Sequence, residues 1–175
     1  YTFSNNVKDN GQDTPMNSIQ VRVTAYNNFS VPGATGTTTF TPAAPPAPTN
    51  LTVQGKGPGV TVFDTLDAQF QWDCITGGTN YQASNVFKDF KVEILNGATV
   101  KRTEYIYPDG KYEYTFANNI LDNGQDNPSA AIICRVTARN VYNITGTPLS
   151  VTFTPAAPPT CTLLYVVNTT NTTFI

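Results

Sequence analysis

At 175 residues the chain is sized for one or two domains, but only 13% of it is charged, against about 25% in ordinary soluble domains, so solubility must come from Asn and Thr. A net charge of −2 without a run of Lys or Arg leaves no electrostatic footprint for a phosphate backbone and speaks against a nucleic-acid partner. No apolar stretch approaches the ~20 residues of a membrane-spanning helix, no signal peptide is visible, and the absence of histidine removes the commonest general base and metal ligand.

Tyr1 to Phe3 reads as the end of a strand, followed by an Asn-rich turn and the loop Asp9-Asn10-Gly11-Gln12-Asp13. Ile19, Val21, Val23 and Ala25 alternate with Gln20, Arg22, Thr24 and Tyr26, the period of a half-buried strand. A turn near Pro32-Gly33 leads to a Thr-rich strand from Thr37 to Thr41. Pro42 to Pro48 cannot join a central sheet, because proline lacks the donor, and reads as a stiff extended linker. A proline-motif ligand for a partner domain is the rival reading, and it lacks flanking basic residues.

Leu51 and Val53 open the next strand. Leu66, Ala68, Phe70 and Trp72 then alternate with Asp67, Gln69, Gln71 and Asp73, which places Trp72 in the core. A polar loop from Ile75 to Asn85 precedes Phe90, Val92 and Ile94, which alternate with Lys91, Glu93 and Leu95, and Asn96-Gly97 is a strong hairpin signal. Thr99 to Tyr107 and Lys111 to Phe116 read as the arms of a second hairpin closed by Pro108-Asp109-Gly110, with Tyr112, Tyr114 and Phe116 on one face. Asp122-Asn123-Gly124-Gln125-Asp126 repeats the earlier loop. Ile132, Cys134, Val136 and Ala138 alternate with Ile133, Arg135, Thr137 and Arg139, and Val151 and Phe153 form a last strand. No segment shows sustained helical periodicity, and about seven short strands at regular spacing predict a β-sandwich.

The repetition is extensive. A shift of 113 positions lays Tyr1-Thr2-Phe3 on Tyr114-Thr115-Phe116, Arg22-Val23-Thr24-Ala25 on Arg135-Val136-Thr137-Ala138, and Phe40-Thr41-Pro42-Ala43-Ala44-Pro45-Pro46 on Phe153-Thr154-Pro155-Ala156-Ala157-Pro158-Pro159. About half of the positions from Tyr1 to Val53 match without a gap, so one structural unit recurs. The expected organisation is residues 1–45 as the later part of one unit, 46–158 as a complete unit, and 159–175 as a linker with the first strand of a following unit.

Candidates for chemistry are few. Glu104 and Glu113, on the arms of the expected second hairpin, are a possible carboxylate pair, although exposed strand positions account for both. Asp122 with Asp126, and Asp9 with Asp13, have hard oxygens for calcium but lack the dense alternation of a calcium loop, so a turn is the plainer reading. Three cysteines do not make a disulfide framework. Cys134 and Cys161 fall on Val21 and Pro48 in the repeat, so buried or incidental thiols are expected, the alternative being a Cys74 to Cys134 bridge between facing sheets. Asn-x-Ser/Thr sequons occur at Asn28, Asn50, Asn143, Asn168 and Asn171, about what this composition yields by chance. Tyr26, Phe29, Tyr81 and Tyr142 are read as exposed aromatics with the capacity to stack on sugar or protein. No catalytic, cofactor or metal residue is assigned, and no cofactor is expected.

Pro45-Pro46-Ala47-Pro48-Thr49-Asn50-Leu51-Thr52-Val53, Phe70-Gln71-Trp72 and Arg135-Val136-Thr137-Ala138-Arg139-Asn140 resemble the first, second and sixth strands of a fibronectin type III module. Tyr114-Thr115-Phe116, the Asp122-Asn123-Gly124 turn, the Arg135 to Asn140 strand and the trailing Pro155-Ala156-Ala157-Pro158 are similar to modules of the tip attachment (host-specificity, protein J type) and central tail fibre proteins of long-tailed bacteriophages. Ile132, and Ile19 in the first copy, stand where fibronectin modules usually carry a tyrosine, so the tyrosine-corner hydrogen bond is missing from both. The resemblance implies an all-β fold of tandem fibronectin type III-like, immunoglobulin-like sandwiches, one complete and two partial. It further implies a non-enzymatic virion structural protein that spaces or presents host-receptor-binding regions. The expected partners are further copies of itself in a homotrimer, other tail-tip proteins, and a host cell-surface receptor or glycan. The alternative is a spacer or carbohydrate-binding accessory module of a bacterial secreted enzyme or surface adhesin.

Overall fold

The computed structural model describes residues 1–11, 15–124 and 128–160. It begins with helix α1 (Phe3–Asn10) and the strands β1 (Ile19–Val23) and β2 (Gly36–Phe40), which pair antiparallel. After the proline segment come β3 (Thr49–Val53), β4 (Val62–Phe63), β5 (Ala68–Asp73), a small pair β6 (Ile75–Thr76) and β7 (Thr79–Asn80), and a 3-10 turn at Tyr81–Ala83. The long strands β8 (Phe87–Asn96) and β9 (Thr99–Ile106) follow, then β10 (Lys111–Tyr114), helix α2 (Phe116–Asn123), β11 (Ile132–Asn140) and β12 (Leu149–Pro155). The chain is mostly β.

Two sheets face each other. One has the order β10-β5-β3 and the other β4-β12-β11-β8-β9. The alternation of apolar side chains decides which faces meet. Phe70 and Trp72 project from the smaller sheet, and Phe90, Val92, Cys134, Val136 and Phe153 from the larger, all buried. Aromatic contacts join the layers: the Phe70 and Phe153 rings are 4.6 Å apart, and Trp72 meets Phe90 edge-on at 5.4 Å. Trp72 lies in the core as its periodicity predicts, and its indole N–H is buried with no hydrogen-bond partner among the described residues. Ile132 is buried as well, filling the place of the expected tyrosine without a hydroxyl to satisfy.

Asn96 and Thr99 pair across a two-residue turn in which Gly97 has φ +57°, so the predicted Asn-Gly hairpin joins β8 to β9. The second expected hairpin does not form. Among the described residues β9 pairs only with β8, and β10 pairs with β5 in the other sheet, so the segment Tyr107 to Gly110 carries the chain between layers. Proline at 108 lacks the donor needed to extend a ladder. The Gly110 carbonyl accepts the Trp72 backbone N–H at 2.9 Å, which starts the β10-β5 pairing, and a Cβ on Gly110 would collide with the Trp72 carbonyl oxygen.

Four further expectations are corrected. The Asn-rich segments after Tyr1 and Tyr114 are two-turn helices, not strand ends and loops. Thr2 and Thr115 are their N-caps, accepting from the backbone N–H of Asn5 at 3.2 Å and Asn118 at 3.1 Å. Gly11 and Gly124 follow their last residues at φ +91° and +98°, a conformation open to glycine. Phe116 therefore belongs to α2 and does not share the face of Tyr112 and Tyr114. Leu66 falls before β5 and is 72% exposed. The strand from Ile19 is not half-buried, since every residue of β1 after Ile19 and all of β2 are exposed.

Candidate functional site

The residues that sequence reasoning put forward for chemistry are dispersed and engaged. Glu104, on β9, lies 3.7 Å from Arg102, while Glu113, on β10 in the other sheet, accepts from the Gln69 amide at 2.7 Å; they form no pair. Asp122 accepts a two-pronged bond from Arg102, both arms 3.0 Å, and a third from the Tyr114 hydroxyl at 3.0 Å. This carboxylate is therefore committed to holding α2 against β9 and β10. Asp9 likewise accepts from the Tyr1 hydroxyl at 3.0 Å. Asp13 and Asp126 lie outside the described residues, and among those described no group of three His, Cys, Asp or Glu side chains is arranged to hold a metal ion.

Cys74 and Cys134 are both free and buried, so the bridged alternative does not occur. Burial pushes the Cys74 thiol up to about 11 and the Cys134 thiol higher still, which keeps both protonated and unreactive at neutral pH. Cys161 lies outside the described residues. Of the sequon asparagines, Asn50 donates to Asp73 at 2.8 Å and Asn143 accepts from Lys88 at 2.6 Å; Asn28 is exposed, and Asn168 and Asn171 are not among the described residues. Among the described residues no helix is long and apolar enough to cross a membrane.

What the fold does assemble is a junction around the proline segment. Asn140, at the end of β11, uses its side-chain carbonyl to accept the backbone N–H groups of Tyr142 and Ile144, each at 3.0 Å, and its amide to donate to the Ala43 carbonyl at 3.1 Å. One buried side chain thus shapes its own turn and holds the linker. Two residues later the linker passes so close to Gly146 that a Cβ there would sit 2.5 Å from the Pro45 carbonyl oxygen. Pro45 and Pro48 are buried, and the Cys74 thiol points at the Pro46 carbonyl from 3.6 Å. The proline segment read as a linker is therefore seated against the β3–β12 region, not free.

The second half of the junction is apolar. Phe3 of α1 meets Tyr142 edge-on, with ring centroids 5.1 Å apart. Beside them a crevice is bounded by Ile19 and Pro42 on one side and by Tyr81, Val86 and Tyr142 on the other. Tyr81 and Tyr142 are half-buried here, whereas Tyr26 and Phe29 are exposed as expected. Neither the Asn140 clamp nor the Gly146 contact was visible in the sequence; the sole signal was that Asn140 recurs as Asn27 and Gly146 as Gly33.

The outer face of the larger sheet carries a second set of polar contacts that sequence reasoning missed. Arg139 makes a two-pronged pair with Asp89, both bonds 2.6 Å, and lies 4.1 Å above the Tyr105 ring. Glu93 binds Arg135 at 2.8 Å and Lys91 at 2.6 Å. Burial pushes the Glu93 carboxyl up, but the hydrogen bonds and charges of Arg135 and Lys91 outweigh it and hold the group below the usual carboxylate range. Arg139 with Asp89 and Arg135 with Glu93 are cross-strand pairs between β11 and β8, and they stabilise the sheet; Lys91 joins Glu93 along β8 itself.

No protein-family model matches the chain, and no curated protein matches it. Among solved structures it is similar to the solution structure of the fibronectin type-III domain of human fibronectin type III domain containing protein 3, at 13% identity and a TM-score of 0.38, over 67% of this chain and 94% of that one.

Proposed function

We propose that this chain is a structural segment of a phage tail-tip or central tail fibre protein, in which tandem fibronectin type III-like sandwiches space or present the regions that bind the host receptor. The observation that carries the reading is the seated linker: Asn140 holding Ala43, and Gly146 admitting Pro45, make the proline segment a fixed part of the β3–β12 unit. A rod needs joints that hold direction, and a seated proline-rich segment supplies one. The phage assignment rests on the sequence resemblance. In this reading the segment catalyses nothing, resides in the virion, and assembles as a homotrimer with other tail-tip proteins, leaving receptor or glycan recognition to loops or another domain.

The alternative, a sugar-binding or spacer module of a secreted or cell-surface bacterial protein, would use exposed aromatics. Phe29 is the repeat counterpart of Tyr142, whose ring packs on Phe3. That correspondence favours contact between units over sugar stacking. Antibody against this segment should label the tips of purified phage tails in electron micrographs. Recovery of the protein in culture supernatant or on the cell surface, joined to a glycan-degrading enzyme and missing from virions, would replace the first reading with the second.

A further inference from the structure

The two copies of the repeat are built alike around one amide. Asn6 accepts from the Met16 backbone N–H at 2.8 Å and donates to the Met16 carbonyl at 2.8 Å. Asn119 does the same with Ser129, at 2.8 and 2.9 Å. Asn10 and Asn123 donate to these two side chains at 3.0 and 2.9 Å. The strand registers correspond as well, Ile19 opposite Phe40 and Ile132 opposite Phe153. Whatever α1 and its hairpin present to a neighbour, α2 and its hairpin present in the same relative arrangement.

In the first copy that presentation has an occupant. Phe3, Ile19 and Pro42 face Tyr81, Val86 and Tyr142 of the following unit. Their counterparts Phe116, Ile132 and Pro155 line an apolar groove of about 260 Å³ together with Phe63, Leu66 and Pro128. Leu66 is the most exposed of these at 72%. A lone exposed leucine means nothing; what gives the groove meaning is that its Phe116, Ile132 and Pro155 hold the places that Phe3, Ile19 and Pro42 hold at the occupied junction.

We infer that the groove between Leu66, Phe116 and Pro155 is the docking face for a further unit of the same repeat, continuing from Pro159, whose counterpart of Tyr142 packs on Phe116. The inference rests on the reading of the chain as a repeated spacer and names the surface through which the spacing is kept. Pro155 to Pro159 repeats Pro42 to Pro46 residue for residue, so the segment leading to the occupant has the sequence that is seated at the first junction.

The test uses the chain lengthened at its own period, residues 1–159 followed directly by a second copy of residues 47–160, which also leaves out Cys161. Phe116→Cys combined with Tyr142→Cys in the appended copy should cross-link within one chain with a short bis-maleimide, in a yield similar to Phe3→Cys with Tyr142→Cys at the first junction. Leu66→Asp should cut the first yield at least five-fold and leave the second unchanged, with the melting temperature of both unaltered. The proposal is overturned if the new pair stays unlinked while the first-junction pair reacts, if the product is mainly an inter-chain dimer, or if the first-junction pair itself fails to react. None of these results bears on where the protein resides, so failure of the docking face is separable from failure of the virion assignment.

Discussion

Val23 and Val136 hold the same place in the repeat, each ending the strand register with its partner, yet Val23 is 68% exposed and Val136 is fully buried. Phe40 and Phe153 differ likewise, at 59% and 0%. The helices, caps, Asn clamps and hairpin registers are nevertheless the same in both regions. Local structure here is set by short-range polar chemistry: a Thr cap, an Asn with two backbone partners, a glycine past the helix end. Burial is set by whether β8 pairs alongside and the β10-β5-β3 sheet lies opposite. A sequence motif can therefore recur with its shape intact and its energetic role absent.

The sharpest way to break the comparison is to separate the regions. Residues 46–160 alone should unfold in one cooperative thermal transition, and residues 1–45 alone should show none, because about 45 residues with one two-stranded sheet cannot bury an adequate core. A cooperative transition in the shorter piece, followed by circular dichroism, would end the argument for unequal roles. Next in size, Phe153→Ala should destabilise the protein by about 3–5 kcal/mol in denaturant titration, through lost transfer energy and a cavity. Phe40→Ala should change it by less than about 0.5 kcal/mol, as exposed positions do.

Asn119→Ala strands the Ser129 N–H and carbonyl and should cost about 1–3 kcal/mol of global stability. Asn6→Ala removes the same bonds, but the loss should appear as faster hydrogen exchange confined to α1 with an unchanged melting temperature. Gly146→Ala should displace the Pro45 carbonyl and cost about 1–3 kcal/mol, as other forced overpacking does. Gly33→Ala should be nearly silent, since a Cβ there meets only the Ala25 carbonyl at 3.5 Å. Equal effects from the two glycine substitutions, read by calorimetry, would show that the seated linker contributes nothing.

The smallest effect is the response to acid. Because Arg135 and Lys91 hold the Glu93 carboxyl below its ordinary value, its contribution is complete above the unfolded carboxylate pKa of about 4.3. That contribution is lost as pH falls from there through the lower folded value. Arg22, the counterpart of Arg135, bonds the neutral Gln20, at 3.0 Å. Glu93→Gln should flatten stability below pH ~4.5 without altering exchange in β1. An unchanged acid limb in the variant would assign the lability elsewhere.

The alternation in β5, β8 and β11 and the Asn96-Gly97 turn made two facing sheets and their core legible in the sequence, Trp72 included. The helices were hidden because eight residues span barely two turns, too few to show a period; the cap residues Thr2 and Thr115 were the available signal. Leu66 and the false hairpin at Pro108 show that period and turn chemistry do not say where a strand starts or which sheet receives it. Exposure of β1 and β2 was illegible in principle, since it depends on residues far from them in the chain. The junction was concealed for a related reason: Asn140 and Ala43 meet across 97 residues, and nothing local to Asn140 distinguishes it from Asn27.

The missing Cβ at Gly146 has a mechanical consequence. A Cβ on Gly146 would sit 2.5 Å from the Pro45 carbonyl oxygen, so the two main chains approach with no side chain between them and no rotamer to yield. In the proposed spacer such joints would stand in series, and in a series angular errors accumulate into lateral wander at the far end. In the proposed spacer, a residue with no side chain would thereby decide how accurately a distant tip could be aimed.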